Sequence, residues 1–199
     1  MGTDFFIKFS NPFENLTDKQ LISIGSICFF ILTILEYLWG FRSVGLFHLQ
    51  PLPEPKPLLF ILFNKCVNLL ILTLVFYIFG ILLNRKTRLL DIFIVILVAQ
   101  MVFLFVVIPL CNPYMVGVSE EIGNSLRNGD ITLEFFPKSK LIILTLAAFL
   151  SLAALIYYGY LVIKGLRIAV HSRRKYHGLV IVLVLFGVDI FLSMVKPYL

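Results

Sequence analysis

Lys65 lies between Asn64 and Asn68 in the stretch FNKCVN, and no formal charge follows it until Arg85. Positions 64, 65 and 68 are three and four residues apart, so on a helix all three point one way. A cation with two amides in an apolar run can do one of three things. It can pair with an acid on a neighbouring helix, extend its stem so that the ammonium reaches the headgroups, or form one station of a proton or ion relay. The acids within reach are Glu36, near the end of the first apolar run, and Asp189, about seven residues from the end of the last. Gln100 is a further polar group in the middle of a run. The economical expectation is that Lys65 pairs with Glu36 or Asp189, helped by Asn64 and Asn68, because each group alone in hydrocarbon stays costly. A charge at mid-membrane costs about 2.5–3.5 kcal/mol on insertion scales, and each strongly apolar residue after Cys66 returns about 0.3–0.6 kcal/mol. The helix therefore tolerates Lys65, and pairing is what explains it.

The setting follows from composition. Of 199 residues, 60% are hydrophobic and 14% charged, and mean hydropathy is +0.99. Soluble domains carry about 25% charged residues, and a chain of this size has too little interior to hide so much apolar surface in water. Five apolar runs stand out, at 21–39, 58–83, 89–110, 141–163 and 179–195. Each is near or above the roughly 20 residues that a spanning helix needs, the last being short. Backbone polar groups in hydrocarbon must be satisfied within the segment, so each run is expected to be a helix. The fold class is all-α: one transmembrane domain over residues 1–199 with five spans.

The cations set the expected orientation. The turn NRKTR holds Arg85, Lys86 and Arg88, and the link KGLRIAVHSRRKYHG holds Lys164, Arg167, Arg173, Arg174 and Lys175. With Lys8 and Lys19 these make ten on one side, against six opposite: Arg42, Lys56, Arg127, Lys138, Lys140 and Lys196. The bias places the N-terminus and this basic surface in the cytoplasm. An anionic inner leaflet is the expected partner of that surface, each cation near it being worth roughly 1 kcal/mol. The net charge of +6 is thus an orientation signal, and nucleic acid is not an expected partner.

Local signals place the remaining elements. Thr17 and Gln20 have capping-box spacing ahead of the first run. The link FRSVGLFHLQPLPEPKP is punctuated by Pro51, Pro53, Pro55 and Pro57, which exclude a helix and predict a stiff extended connector. In the longer outer link, VSEEIGNSLRNGD predicts a short amphipathic helix capped by Ser119 and stopped at Asn128-Gly129. Ile122 and Leu126 would share its apolar face, on the bilayer surface or over the bundle. Tyr157, Tyr158 and Tyr160 read as interfacial aromatics at the inner edge. Ala147, Ser151 and Ala154 form a small-residue stripe that predicts a central position for the fourth span.

Enzyme chemistry finds little footing. There is no GxSxG elbow, no HExxH and no phosphate-cradling glycine loop. Glu120 and Glu121 begin like an EExxxR protease signature, but Arg127 falls off its position. His48, His171 and His177 lack ligand-like spacing with carboxylates and read as surface residues. Cys28, Cys66 and Cys111 match no zinc or redox pattern. No metal and no cofactor is expected. No basic n-region or cleavage site marks the start as a signal peptide.

The stretches NKCVNLLILTLVFYIFGILLNRKTRLLDIFIVILVAQMVF and YGYLVIKGLRIAVHSRRKYHGLVIVLVLFGVDIFLSMV carry a further likeness. The polar-headed second span, the basic turn into the third, and KGLR before a short last span with an embedded acid resemble the Yip family of Ypt/Rab-interacting-like membrane proteins, prokaryotic branch. The resemblance implies five spans with an inner N-terminus. Eukaryotic members are associated with Rab GTPases through a longer cytosolic N-terminal region, which the residues before the first run do not match. The functional expectation is a non-enzymatic membrane organiser or scaffold acting through helix packing and lipid or protein contacts, with a membrane-protein partner or a second copy possible, in a bacterial cytoplasmic (inner) membrane. The alternative is a small transporter or channel subunit using Glu36, Lys65, Asp189 and Gln100.

Overall fold

An apolar run whose carbonyls and amides have no outside partner winds into a helix, and it does so here five times over. The computed structural model describes residues 11–44, 47–52, 54–127, 136–171 and 176–195. The expectations for Arg173, Arg174, Lys175, Lys196, the side chain of His177 and the stop at Asn128-Gly129 fall outside them. A short helix α1 (Pro12–Asn15) leads into α2 (Asp18–Trp39). Strands β1 (Phe41–Ser43) and β2 (Leu49–Pro51) precede α3 (Leu58–Leu83). The third run is α4 (Leu89–Ala99), a 3-10 turn at Gln100–Phe103, and α5 (Leu104–Cys111). Then come α6 (Pro113–Arg127), α7 (Lys138–Ala169) and α8 (Tyr176–Val195). Among the described residues, five helical segments are long and apolar enough to cross a membrane: Asp18–Trp39, Leu58–Leu83, Leu89–Cys111, Lys138–Ala169 and Gly178–Val195.

Helix boundaries follow local chemistry. Thr17 and Gln20 close the expected capping box: the Thr17 side chain accepts from the Gln20 amide, and Gln20 Oε1 accepts from the Thr17 amide at 3.0 Å. Gly40, at a φ of 67°, ends α2 and turns the chain back, a conformation that costs glycine little. The helix in the longer link begins at Pro113, not at Ser119. Asn112 Oδ1 accepts from the Met115 amide at 3.0 Å and so caps α6, while Pro113 needs no hydrogen-bond partner at the first position. Ser119 sits inside the helix, donating from Oγ to the Met115 carbonyl at 2.9 Å.

Contacts group the described residues into two units. In the first, which runs to Met101 and resumes at Tyr158, α2 and α3 both pack on α4. The buried face of α2 is Leu21, Gly25, Phe29, Leu32, Thr33 and Glu36, spaced three to four apart, while Ile27, Phe30, Ile34 and Leu38 point outward. That pattern suits a helix with lipid outside. Close approach is built in at Gly165, where a Cβ would come within 2.6 Å of a Val95 methyl. The second unit, Val102–Tyr157, contains α5, α6 and the start of α7. There Lys140 donates to the Glu121 carboxylate, and Met115 and Val118 are the buried residues of α6. Ala147, Ser151 and Ala154 are buried as a stripe, yet α7 is not the most enclosed span. Its apolar window is 22% buried against 67% for Leu89–Cys111. The third run is apolar on every side, so it can be surrounded by protein, whereas Phe149, Leu152 and Ile156 of α7 face outward.

The all-α expectation takes one amendment. The proline-rich link contains a two-stranded antiparallel ribbon, with Phe41 opposite Pro51, Arg42 opposite Gln50 and Ser43 opposite Leu49. Pro51 is tolerated because it stands at the end of an edge strand.

Candidate functional site

The ribbon does not stay at the helix ends. Gly40 reverses the chain, and Ser43 comes to lie beside α3, where its carbonyl accepts from Asn64 Nδ2 at 2.7 Å and Asn68 Nδ2 at 3.2 Å. Those residues are six and ten positions into α3, or about 9 and 15 Å along its axis. Further on, the Phe47 amide donates to Asp189 Oδ1 at 2.9 Å. The Phe47 ring stands edge-on to Tyr158 at 5.8 Å and tilted against Phe186 at 5.5 Å. Asp189 and Phe186 lie six and nine positions from the end of α8, about 9 and 14 Å inside it. Ser43 and Phe47 of the hairpin therefore lie alongside α3 and α8, well inside the helix ends.

That geometry explains the polar residues. A non-helical backbone cannot satisfy itself at such depth, and each unpartnered group would cost several kcal/mol in hydrocarbon. Asn64 and Asn68 serve the Ser43 carbonyl, and Asp189 serves the Phe47 amide. Glu36 Oε1 accepts from Lys65 Nζ at 2.8 Å and from Ser43 Oγ at 2.7 Å. Lys65 and Glu36 are 6% and 1% exposed, so this ion pair is buried. The ammonium also stands 5.8 Å from the centre of the Phe29 ring.

Of the two acids offered to Lys65, the structure selects Glu36. Asp189 is engaged elsewhere: its Oδ2 is 3.0 Å from His48 Nδ1, and its Oδ1 holds Phe47. Asn64, Lys65 and Asn68 do face one way. Gln100 is not drawn in: it is buried at the start of the 3-10 turn, and its Oε1 has no hydrogen-bond partner among the described residues. Among those residues no group of three His, Cys, Asp or Glu side chains could hold a metal.

Three participants escaped the sequence. Ser43 reads as a link residue, but it is the hub of the cluster; His48 has the exposed side chain expected of it and in addition faces Asp189. Tyr158 read as an interfacial aromatic, but it is 1% exposed and eleven residues from the end of α7, packed on Phe47. Gly40 directly after a helix, with polar Arg42 and Gln50 flanking an apolar stretch, was the available hint of a reversal.

At the opposite ends of the helices, Asn84 Nδ2 donates to the Val170 carbonyl at 3.0 Å and joins the α3–α4 turn to the end of α7. Arg85, Lys86 and Arg88 are exposed there, and Lys164 and Arg167 half-buried. Phe13 of α1 reaches Gly165, so the segment before α2 shares this end.

Fold and site together define a class: a mostly helical chain with five segments long and apolar enough to span a membrane, the build of an integral membrane protein. No family model, no curated protein and no solved structure matches it.

Proposed function

We propose that this chain is a non-enzymatic multipass membrane protein, an organiser or scaffold that acts through helix packing and through lipid or protein contacts. The observation that carries this reading is the buried pairing of Lys65 with Glu36 around Ser43. Lys65 donates to Glu36, and Glu36, Asn64 and Asn68 each bond Ser43, with Lys65 and Glu36 almost wholly buried. A transport path needs such groups to meet water. The resemblance to the prokaryotic branch of the Yip family and a place in a bacterial cytoplasmic membrane belong to the same reading.

The second reading, a small transporter or channel subunit, draws on Glu36 Oε2 and Asn68 Oδ1, which are buried without hydrogen-bond partners among the described residues. A thiol at position 68 separates the two. In a background lacking Cys28, Cys66 and Cys111, Asn68→Cys should resist a membrane-impermeant maleimide in intact membranes and react only after denaturation. Rapid labelling from one face would replace the scaffold reading with the transporter.

The proposed orientation puts the N-terminus, the α3–α4 turn and the α7–α8 link in the cytoplasm, supported by ten cations against six. The hairpin and α6 then belong to the outer side, with α6 amphipathic along the surface: Met115 and Val118 covered, Glu120 and Glu121 in water. Reporters fused after Lys86 and after Arg174 should both report the cytoplasm; reports from opposite sides would end the five-span arrangement.

A further inference from the structure

A cavity of about 490 Å³ opens at the end of α7, lined by Glu14 of α1 and by Tyr160, Ile163, Lys164, Arg167 and Ile168. Tyr160, Lys164 and Arg167 are four and three residues apart and share one helix face. Lys164 Nζ donates to the Tyr160 hydroxyl at 3.0 Å and lies 5.5 Å from the centre of that ring. Arg167 is half-buried, and among the described residues its Nε has neither solvent nor a hydrogen-bond acceptor. No ion pair joins Lys164 or Arg167 to an acid among the described residues, and Glu14, at the rim, is exposed.

Two cations lining one cavity beside hydrocarbon, with no acid paired to either among the described residues, call for an anion, since unpaired charge in such a setting stays costly. The group that fits is an oxyanion. The planar fork of arginine matches phosphate oxygens in pairs, while lysine supplies a point charge beside it. Ile163 and Ile168 add apolar wall next to the two cations, as an amphiphile with an anionic head and hydrocarbon tail would require. We infer that this groove binds the phosphate of an anionic phospholipid, held by Arg167 and Lys164 with the acyl chains against Ile163 and Ile168. It is a discrete site, distinct from the diffuse attraction of exposed Arg85, Lys86 and Arg88 to a charged leaflet. The inference rests on the proposed orientation, which brings this end to the inner leaflet.

The test uses the full chain, purified in detergent with equal phosphatidylglycerol and phosphatidylcholine, and counts retained lipid by native mass spectrometry. Wild type should keep one phosphatidylglycerol in preference. Arg167→Gln should weaken that retention about tenfold, as loss of one charge-assisted contact implies, and Lys86→Gln should change it less than about twofold. Lys164→Gln serves as the second variant if Arg167→Gln does not fold. Equal losses in Arg167→Gln and Lys86→Gln, or none in either, would overturn the site while leaving the orientation to the reporter fusions. Millimolar inorganic phosphate should not displace the lipid; displacement that depends on Arg167 would assign the site to a free anion and overturn the lipid.

Discussion

Replacing Lys65 with alanine should destabilise the protein in mixed micelles by roughly 3–5 kcal/mol, because it strands a buried carboxylate. Glu36 would keep only the Ser43 hydroxyl, its second oxygen already being without a partner. Glu36→Ala should cost a similar amount, since it removes the carboxylate to which the buried Lys65 ammonium donates. The double variant should cost less than the sum, with a coupling at the upper end of the usual range of about 0.5–3 kcal/mol. Reversible unfolding in detergent measures all three. Additive losses would mean that the contact at 2.8 Å contributes no specific stability, and the cluster would lose its role as structural glue.

The second large effect is expected at Asp189, and it should be local. Asp189→Ala removes the acceptor from the Phe47 amide and the partner from His48 in one step. A buried donor left unsatisfied costs about 1–3 kcal/mol. Freeing the Phe47 end of the hairpin breaks fewer contacts than parting the helices, so it should open locally before they separate. Hydrogen exchange at the Phe47 amide should accelerate at least about tenfold, the equivalent of 1.4 kcal/mol, while amides in α4 change little. Asp189→Asn keeps an oxygen for the Phe47 amide and gives up the charge that faces His48. It should recover most of the protection. If Asn behaves like Ala, the charge facing His48 holds the hairpin; if neither variant alters exchange, the hairpin is not held by Asp189 at all.

These two predictions locate the boundary between what was legible and what was not. The runs, their helical state and the N-terminal cap were legible because they are local: a helix satisfies its own backbone four residues away, and hydropathy is read along a window. The need for Lys65 to find an acid was legible too, since it is a statement about solvent. Gln100 makes no hydrogen bond to the set among the described residues, because depth in a run says nothing about which face a side chain presents. Ser119 was misread as a cap because the stronger signal, Asn112-Pro113, lies at the seam with the preceding span.

Taken alone, the residue order determined five oil-compatible helices, a basic end, and a handful of embedded polar groups that must be satisfied. Only the tertiary structure decided how. It matched Lys65 to Glu36 across 29 positions, sent Asp189 to Phe47 across 142, and set Ser43 and Phe47 of the hairpin alongside α3 and α8. The reason is physical. Such pairings depend on which helix faces meet and on where an irregular segment puts its unpaired amides and carbonyls, and neither quantity has a period along the chain.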